Sequence, residues 1–180
     1  MGIVKFNKEH RYNTLTPTHL EQVRRGVESA YVDSQNKMIY VTTANGEHWS
    51  NGTDFRTMMH WVKEGQLGKV TEYLEKLYEL QTLTAKMNKP AIAVAPGHVY
   101  NSGATFLSAF GHPMMTADSK MAFNECTVGF IPHSGATFYL SRLPGEFGTF
   151  LALTGLPIHG EDAKGLGLVN QLVETTKDFD

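Results

Sequence analysis

The chain of 180 residues has a single cysteine, Cys126, which rules out an internal disulfide and fits a reducing compartment. It has no apolar run of about 18 residues free of Pro, Gly or polar interruption, so no membrane insertion is expected. Its eight histidines show no His-Glu-x-x-His or other close ligand spacing, and no metal site is expected. His98, His112 and His159 each sit beside Gly or Pro, where turn or surface positions explain them. Net charge is only −2, against free-standing electrostatic binding of nucleic acid; RNA contact is left open only through a larger assembly. Met1 to His10 has neither a signal-peptide core nor an Arg/Ser-rich transit pattern, and Phe6 stands where a myristoylation signal needs Ser or Thr. Repeats, low-complexity stretches and interdomain linkers are also missing. With 41% hydrophobic and 19% charged residues, the chain is expected to form one globular domain over 1–180.

What is present alternates between strand and helix patterns. Val4 to Asn7 is a short strand candidate, and Thr16-Pro17 offers an N-cap with Pro at the first helical position. Leu20, Val23, Val27 and Tyr31 follow at helical spacing, while Thr18-x-x-Glu21 has the form of a local capping arrangement. Met38 to Thr43 is an apolar, β-branched strand, and Asn45-Gly46 and Asn51-Gly52 mark turns on either side of Trp49. Trp49 and Trp61, with Met58 and Met59, are expected in core or interface. Val70, Tyr73, Leu74, Leu77, Leu80 and Thr84 define a second helical face. Strands near 91–95, 114–116, 121–123 and 168–173, with helices near 104–110, 134–142 and 146–154, complete a βαβα order and an α/β layered fold.

The stretch Lys89 to Ala104 is the most telling segment. It reads as a buried strand, a Gly-containing turn and then a helix, an arrangement that presents free backbone N–H groups at a helix start. Such a turn can hold an oxyanion with main-chain donors alone. A tight connection in an α/β fold explains the same pattern without chemistry.

Six segments in order carry a family resemblance. They are Phe6-Asn7-Lys8 with Asn13-Thr14-Leu15; Trp49 through Phe55; Pro96-Gly97 through Gly103; Asn124-Glu125 with Val128 to Pro132; Leu143 through Gly155; and Gly165 through Val169. Together they resemble the crotonase (enoyl-CoA hydratase/isomerase) superfamily, most of all its 3-hydroxyisobutyryl-CoA hydrolase branch. The resemblance implies an α/β fold of the crotonase-like (ClpP/crotonase) type, with a ββα spiral core. The family's first strand and its C-terminal helical region have no counterpart in the sequence, and apolar surface left by their absence would call for a partner; a compact self-sufficient monomer is the alternative.

The resemblance also implies a site. Family members hold an acyl-CoA thioester with its carbonyl oxygen between two backbone N–H groups, which map to Thr53 and Ser102, and Glu125 maps to the acid that moves protons or activates water. Lys8 and Arg11 lie where the family's first loop passes CoA and could meet its phosphates by charge, yet a solvated loop is the preferred explanation. No cofactor is implied; acyl-CoA would be substrate or ligand. Departures from the pattern are as informative. The hydrolase branch's second carboxylate falls at His133, a further acidic position at Leu77, the hydratase acid at Thr105, and the Gly-Gly-Gly run has become Asn101-Ser102-Gly103. A neutral His133 can act as a base but removes a negative charge. Asn101 tolerates left-handed angles, whereas Ser102 puts a side chain where an acyl group would approach the backbone.

Two function classes follow. One is a catalytically degenerate crotonase-fold subunit of a large mitochondrial assembly, since a protein similar to the hydrolase branch is part of the mitochondrial small ribosomal subunit in several eukaryotic lineages. The other is an acyl-CoA hydrolase or hydratase using Glu125, with His133 in support, that obtains missing helices from a complementary crotonase fragment. An acyl-CoA binder without turnover is a third. The lost acidic positions favour the subunit.

Overall fold

A computed structural model describes residues 1–8, 11–44, 46–174 and 176. The strands are β1 Gly2–Phe6, β2 Ile39–Thr43, β3 Ala91–Ala95, β4 His98–Tyr100, β5 His112–Thr116, β6 Lys120–Ala122, β7 Ile158–His159 and β8 Gln171–Val173. The helices are α1 Pro17–Val32, α2 Phe55–Lys63, α3 Leu67–Ala85, α4 Ser102–Ser108, α5 Ala136–Leu140, α6 Phe147–Thr154 and α7 Gly160–Gly165. A short 3-10 helix spans Glu125–Val128.

The strands form two sheets whose members interleave in the chain order. The larger runs β1-β2-β3-β5-β8 with every pairing parallel; the smaller runs β4-β6-β7, with β4 and β6 parallel and β7 antiparallel to β6. All five residues of β2 are buried, as expected of an inner parallel strand covered on both faces. In β3, Ala91, Ala93 and Ala95 are small enough to let helices approach, and Ala93 and Ala95 are fully buried.

Local chemistry explains the helices. Thr16 caps α1 by accepting from the His19 N–H, Pro17 occupies the first turn, and Leu20, Val23 and Val27 are buried on one face. The expected Thr18-x-x-Glu21 cap is not made; Glu21 instead pairs with Arg24 at 3.0 Å and Arg25 at 2.6 Å. Helix α3 buries Tyr73, Leu77, Leu80, Gln81 and Thr84. Helix α2 lies outside the expected elements. Its apolar residues Phe55, Met58, Met59 and Val62 stand at helical spacing, yet Met58 alone is fully buried, and the Asp54 side chain supplies the cap by accepting from the Thr57 N–H.

Three expectations need correction in detail. The first strand ends at Phe6 rather than Asn7, and the last begins at Gln171 rather than Leu168. The turn at 96–97 does not lead straight into a helix, because β4 intervenes and forms the parallel edge of the second sheet. Asn45 of the Asn45-Gly46 turn lies outside the described residues. Trp49 and Met58 are core as expected and Trp61 is half-buried, but Met59 is exposed.

Candidate functional site

Three loops converge at the ends of these elements. The first, between β2 and α2, is anchored by Trp49, which is fully buried against Phe6 and Phe106 and donates from Nε1 to the Gly103 carbonyl at 2.9 Å. That bond ties it to the second loop, at the start of α4. The approach is close enough that a Cβ on Gly52 would meet Tyr100 O at 2.6 Å and the backbone nitrogens of Ser102 and Gly103 at 2.8 Å. Gly52 has φ of +72°, a second reason for glycine there. Asn101 takes φ of +53° with ψ of −133°, outside the left-handed region expected of it, and donates through Nδ2 to Asn51 O. The third loop, 123–135, brings Glu125 and His133.

Thr53, Ser102 and His133 meet directly. Thr53 Oγ1 lies 2.8 Å from Ser102 Oγ and 2.9 Å from His133 Nε2, and His133 Nδ1 is 3.0 Å from Ser134 Oγ. Thr53, Ser102 and His133 are all buried. Burial pushes the His133 pKa down to about 4, so its ring is neutral at pH 7. Phe55, Phe130 and Tyr78 present their rings around it at centroid distances of 6.2, 5.2 and 6.1 Å.

Glu125 opens the 3-10 helix and is wholly buried. Among the described residues neither carboxylate oxygen has a hydrogen-bond partner of good geometry. Desolvation raises its pKa to about 7, opposed weakly by the nearby backbone N–H groups of Glu125 itself and His133. A carboxyl in this state can give or take a proton near neutral pH.

The site lies between two cavities of different character. On one side is a cleft of about 610 Å³ whose lining includes Arg11, Arg56, Tyr100, Asn124 and Thr53. On the other is a cavity of about 350 Å³, mostly apolar, formed by Tyr78, Gln81, Ala85, Ala109, Ser134 and Phe138. The hydrogen bonds Thr53–His133–Ser134 run from one to the other. Arg11 borders the cleft and stands 4.0 Å from Asp54. Lys8 does not border it; its backbone N–H donates to Asn13 Oδ1, and its charge acts on His19.

Leu77 and Thr105, the two other departures from the family pattern, have structural employment. Leu77 is core. Thr105 Oγ1 donates to Ser102 O at 3.0 Å and accepts from Gln81 Nε2 at 3.4 Å, while Gln81 Nε2 also reaches Ser102 O at 3.1 Å. Gln81 was not anticipated, and Tyr73 was expected only as part of an inward helical face. The Tyr73 hydroxyl donates to Leu15 O at 2.7 Å and accepts from Asp54 N, joining the first loop to α3. Their place on the apolar face of a helix disguised them, because a buried polar residue is legible in sequence only once its partners are known.

Comparison with known proteins agrees with this architecture. The family model described as enoyl-CoA hydratase/isomerase matches residues 1–178. The chain is 28% identical over 177 residues to the 3-hydroxyisobutyryl-CoA hydrolase, mitochondrial, of Rattus norvegicus, covering 98% of this chain and 46% of that protein. It is also 28% identical over 162 residues to small ribosomal subunit protein mS47 of Arabidopsis thaliana, covering 90% of this chain and 39% of the relative. A carnitinyl-CoA dehydratase structure from Mycobacterium thermoresistibile superposes with a TM-score of 0.89 at 26% identity, over 95% of this chain and 50% of that one. The chain spans less than half the length of these two curated relatives. With converging loops, parallel sheet and nearly full-length family match in agreement, the chain belongs to the enoyl-CoA hydratase/isomerase family.

Proposed function

We propose that this chain is a crotonase-fold subunit of a larger assembly in which the family's carboxylate chemistry has decayed. The observation carrying this reading is the buried bond set of Thr53, Ser102 and His133. The resemblance implies two backbone N–H donors facing an acyl carbonyl at these positions. The Thr53 and Ser102 hydroxyls bond to each other there, and a neutral imidazole stands where a second carboxylate is expected. The structural use of Leu77 and Thr105 supports the same conclusion. An apolar face including Phe147, Phe150 and Leu153 of α6 is exposed, which suits a covered surface. Similarity to mS47 makes a small ribosomal subunit the candidate host, and similarity to a mitochondrial hydrolase supports a mitochondrial location. Residues 1–180 act as one domain in this reading, and any RNA contact comes through the assembly.

A second reading, a 3-hydroxyisobutyryl-CoA hydrolase-type or hydratase activity, is supported by one observation. Glu125 keeps a buried carboxyl, without a well-formed hydrogen bond among the described residues and with a pKa near 7, at a cost a purely structural site does not need. In it, the backbone N–H groups of Thr53 and Ser102 hold the carbonyl oxygen and Glu125 activates water.

The experiment is isolation of the tagged chain at native size from its own cells, with mass spectrometry of co-migrating proteins. Stable migration with ribosomal or other large-complex proteins is the expected result. A small particle, alone or with a complementary crotonase fragment, that hydrolyses 3-hydroxyisobutyryl-CoA and loses about 100-fold in rate on Glu125→Gln would replace the first reading with the second.

A further inference from the structure

We infer that Thr53 and His133 form a nucleophile–base pair able to take an acyl group from an activated thioester. This goes beyond the subunit role and does not depend on it, because it concerns chemistry that the departing residues themselves create.

The geometry has the three parts such a pair requires. A hydroxyl, Thr53 Oγ1, stands 2.9 Å from the base, His133 Nε2. A third group, Ser134 Oγ, stands 3.0 Å from His133 Nδ1. The tautomer in which Nδ1–H donates to Ser134 leaves Nε2 to accept from Thr53. The ring is also held by Phe55, Phe130 and Tyr78, so its orientation is set by packing as well as by bonds. Both residues are more than nine-tenths buried, Thr53 at 4% and His133 at 7% exposure, yet Thr53 still borders the cleft and can be met by a ligand there. Ser102 Oγ, 2.8 Å from Thr53 Oγ1, holds the hydroxyl from its other side. The neutral imidazole can accept a proton at pH 7, and its low basicity makes the step slow.

The step balances with water as the only co-reactant. Thr53 Oγ1 adds to the thioester carbonyl carbon while its proton passes to His133 Nε2. The tetrahedral intermediate collapses, the C–S bond breaks, and His133 returns the proton to the departing sulfur, leaving an acyl ester on Thr53 and a free thiol. Water then attacks the ester with His133 accepting its proton, and the proton returns to Thr53 Oγ1 as the carboxylic acid leaves. The sum is thioester plus water giving acid plus thiol.

The test is acid-quenched intact-protein and peptide mass spectrometry of the full chain in a Cys126→Ala background, which removes the competing thiol. Two probes are used: acetyl-CoA, and S-phenyl thioacetate, which needs no CoA-sized cleft. The expected result is one acetyl group on Thr53 with at least the smaller probe. Thr53→Val, of nearly equal volume, abolishes it; Thr53→Ser retains it; His133→Gln slows acylation about 100-fold at an unchanged melting temperature. An adduct with S-phenyl thioacetate alone keeps the pair and removes CoA from its substrates. Absence of adduct from folded protein with both probes, or an adduct on any other residue, overturns the proposal. Neither result alters the co-migration test, so the two ideas fail separately.

Discussion

Trp49 and Glu125 are equally removed from water, one in the first of the converging loops and the other in the third, and their circumstances are opposite. Trp49 packs against Phe6, Phe106 and Phe110 and satisfies its one polar atom on Gly103 O. Among the described residues neither oxygen of Glu125 has a hydrogen-bond partner of good geometry, and its pKa is raised to about 7. Burial of the first kind stabilises the fold by removing a large apolar surface from water. Burial of the second kind costs free energy, which the rest of the core offsets. The two loops tied by Trp49 are thus a rigid floor, and 123–135 is the part of the site whose stability responds to pH.

The largest effect that would sharpen this contrast is Trp49→Ala, expected to lower the unfolding free energy by about 4 kcal/mol through cavity formation and loss of the Gly103 bond. Chemical denaturation measures it; a loss under about 1 kcal/mol would mean the floor is not what holds the loops.

Next comes the pH dependence of the Glu125–His133 pair. Glu125 has a folded pKa near 7 against 4.5 unfolded, so stability falls as pH rises from 4.5 to 7, by about 3 kcal/mol in all. His133 has a folded pKa near 4 against 6.5 unfolded, so stability falls as pH drops from 6.5 to 4, by a similar amount. Over about pH 4.5–6.5 the two slopes oppose and nearly cancel. Glu125→Gln should unmask the His133 slope, with stability rising toward neutral pH, and His133→Gln the reverse. Denaturation curves at several pH values decide it, and parallel profiles for the two variants would break the comparison.

Gly52→Ala should cost about 2 kcal/mol from its positive φ alone, with its Cβ pressed on the backbone of the second loop in addition. A neutral result by thermal melting would show that the two loops separate readily. The smallest effect is on Leu153→Glu. At 74% exposure it should change the isolated chain's stability by less than about 0.5 kcal/mol, while removing it from the assembly if α6 is a contact. Retained co-migration would clear α6 of that role.

The regularly patterned elements were legible from their own residues. Thr16-Pro17 caps α1, and the face Tyr73, Leu77, Leu80, Thr84 turns inward on α3, because apolar spacing and caps act within a few residues of one another. Helix α2 was missed although Phe55, Met58, Met59 and Val62 stand at helical spacing, and β4 was missed because three residues show no pattern apart from their pairing with β6 and Ser50. The site was partly legible. The resemblance assigned positions to Thr53, Ser102, Glu125 and His133, and the structure brings Thr53, Ser102 and His133 into direct hydrogen bonding. Lys8 does not border the cleft, and Gln81 was unforeseen as the donor to Ser102 O.

By itself the sequence determined the α/β order, the family and the replacement of acidic positions by His133, Leu77 and Thr105, because these depend on residue identity and short-range spacing. Only the tertiary structure decided that Thr53, 80 residues from His133 in the chain, bonds to its imidazole, and that Glu125 is buried with neither oxygen well bonded among the described residues. Both facts depend on distances and desolvation between segments remote in sequence, and those quantities exist only when the chain is folded.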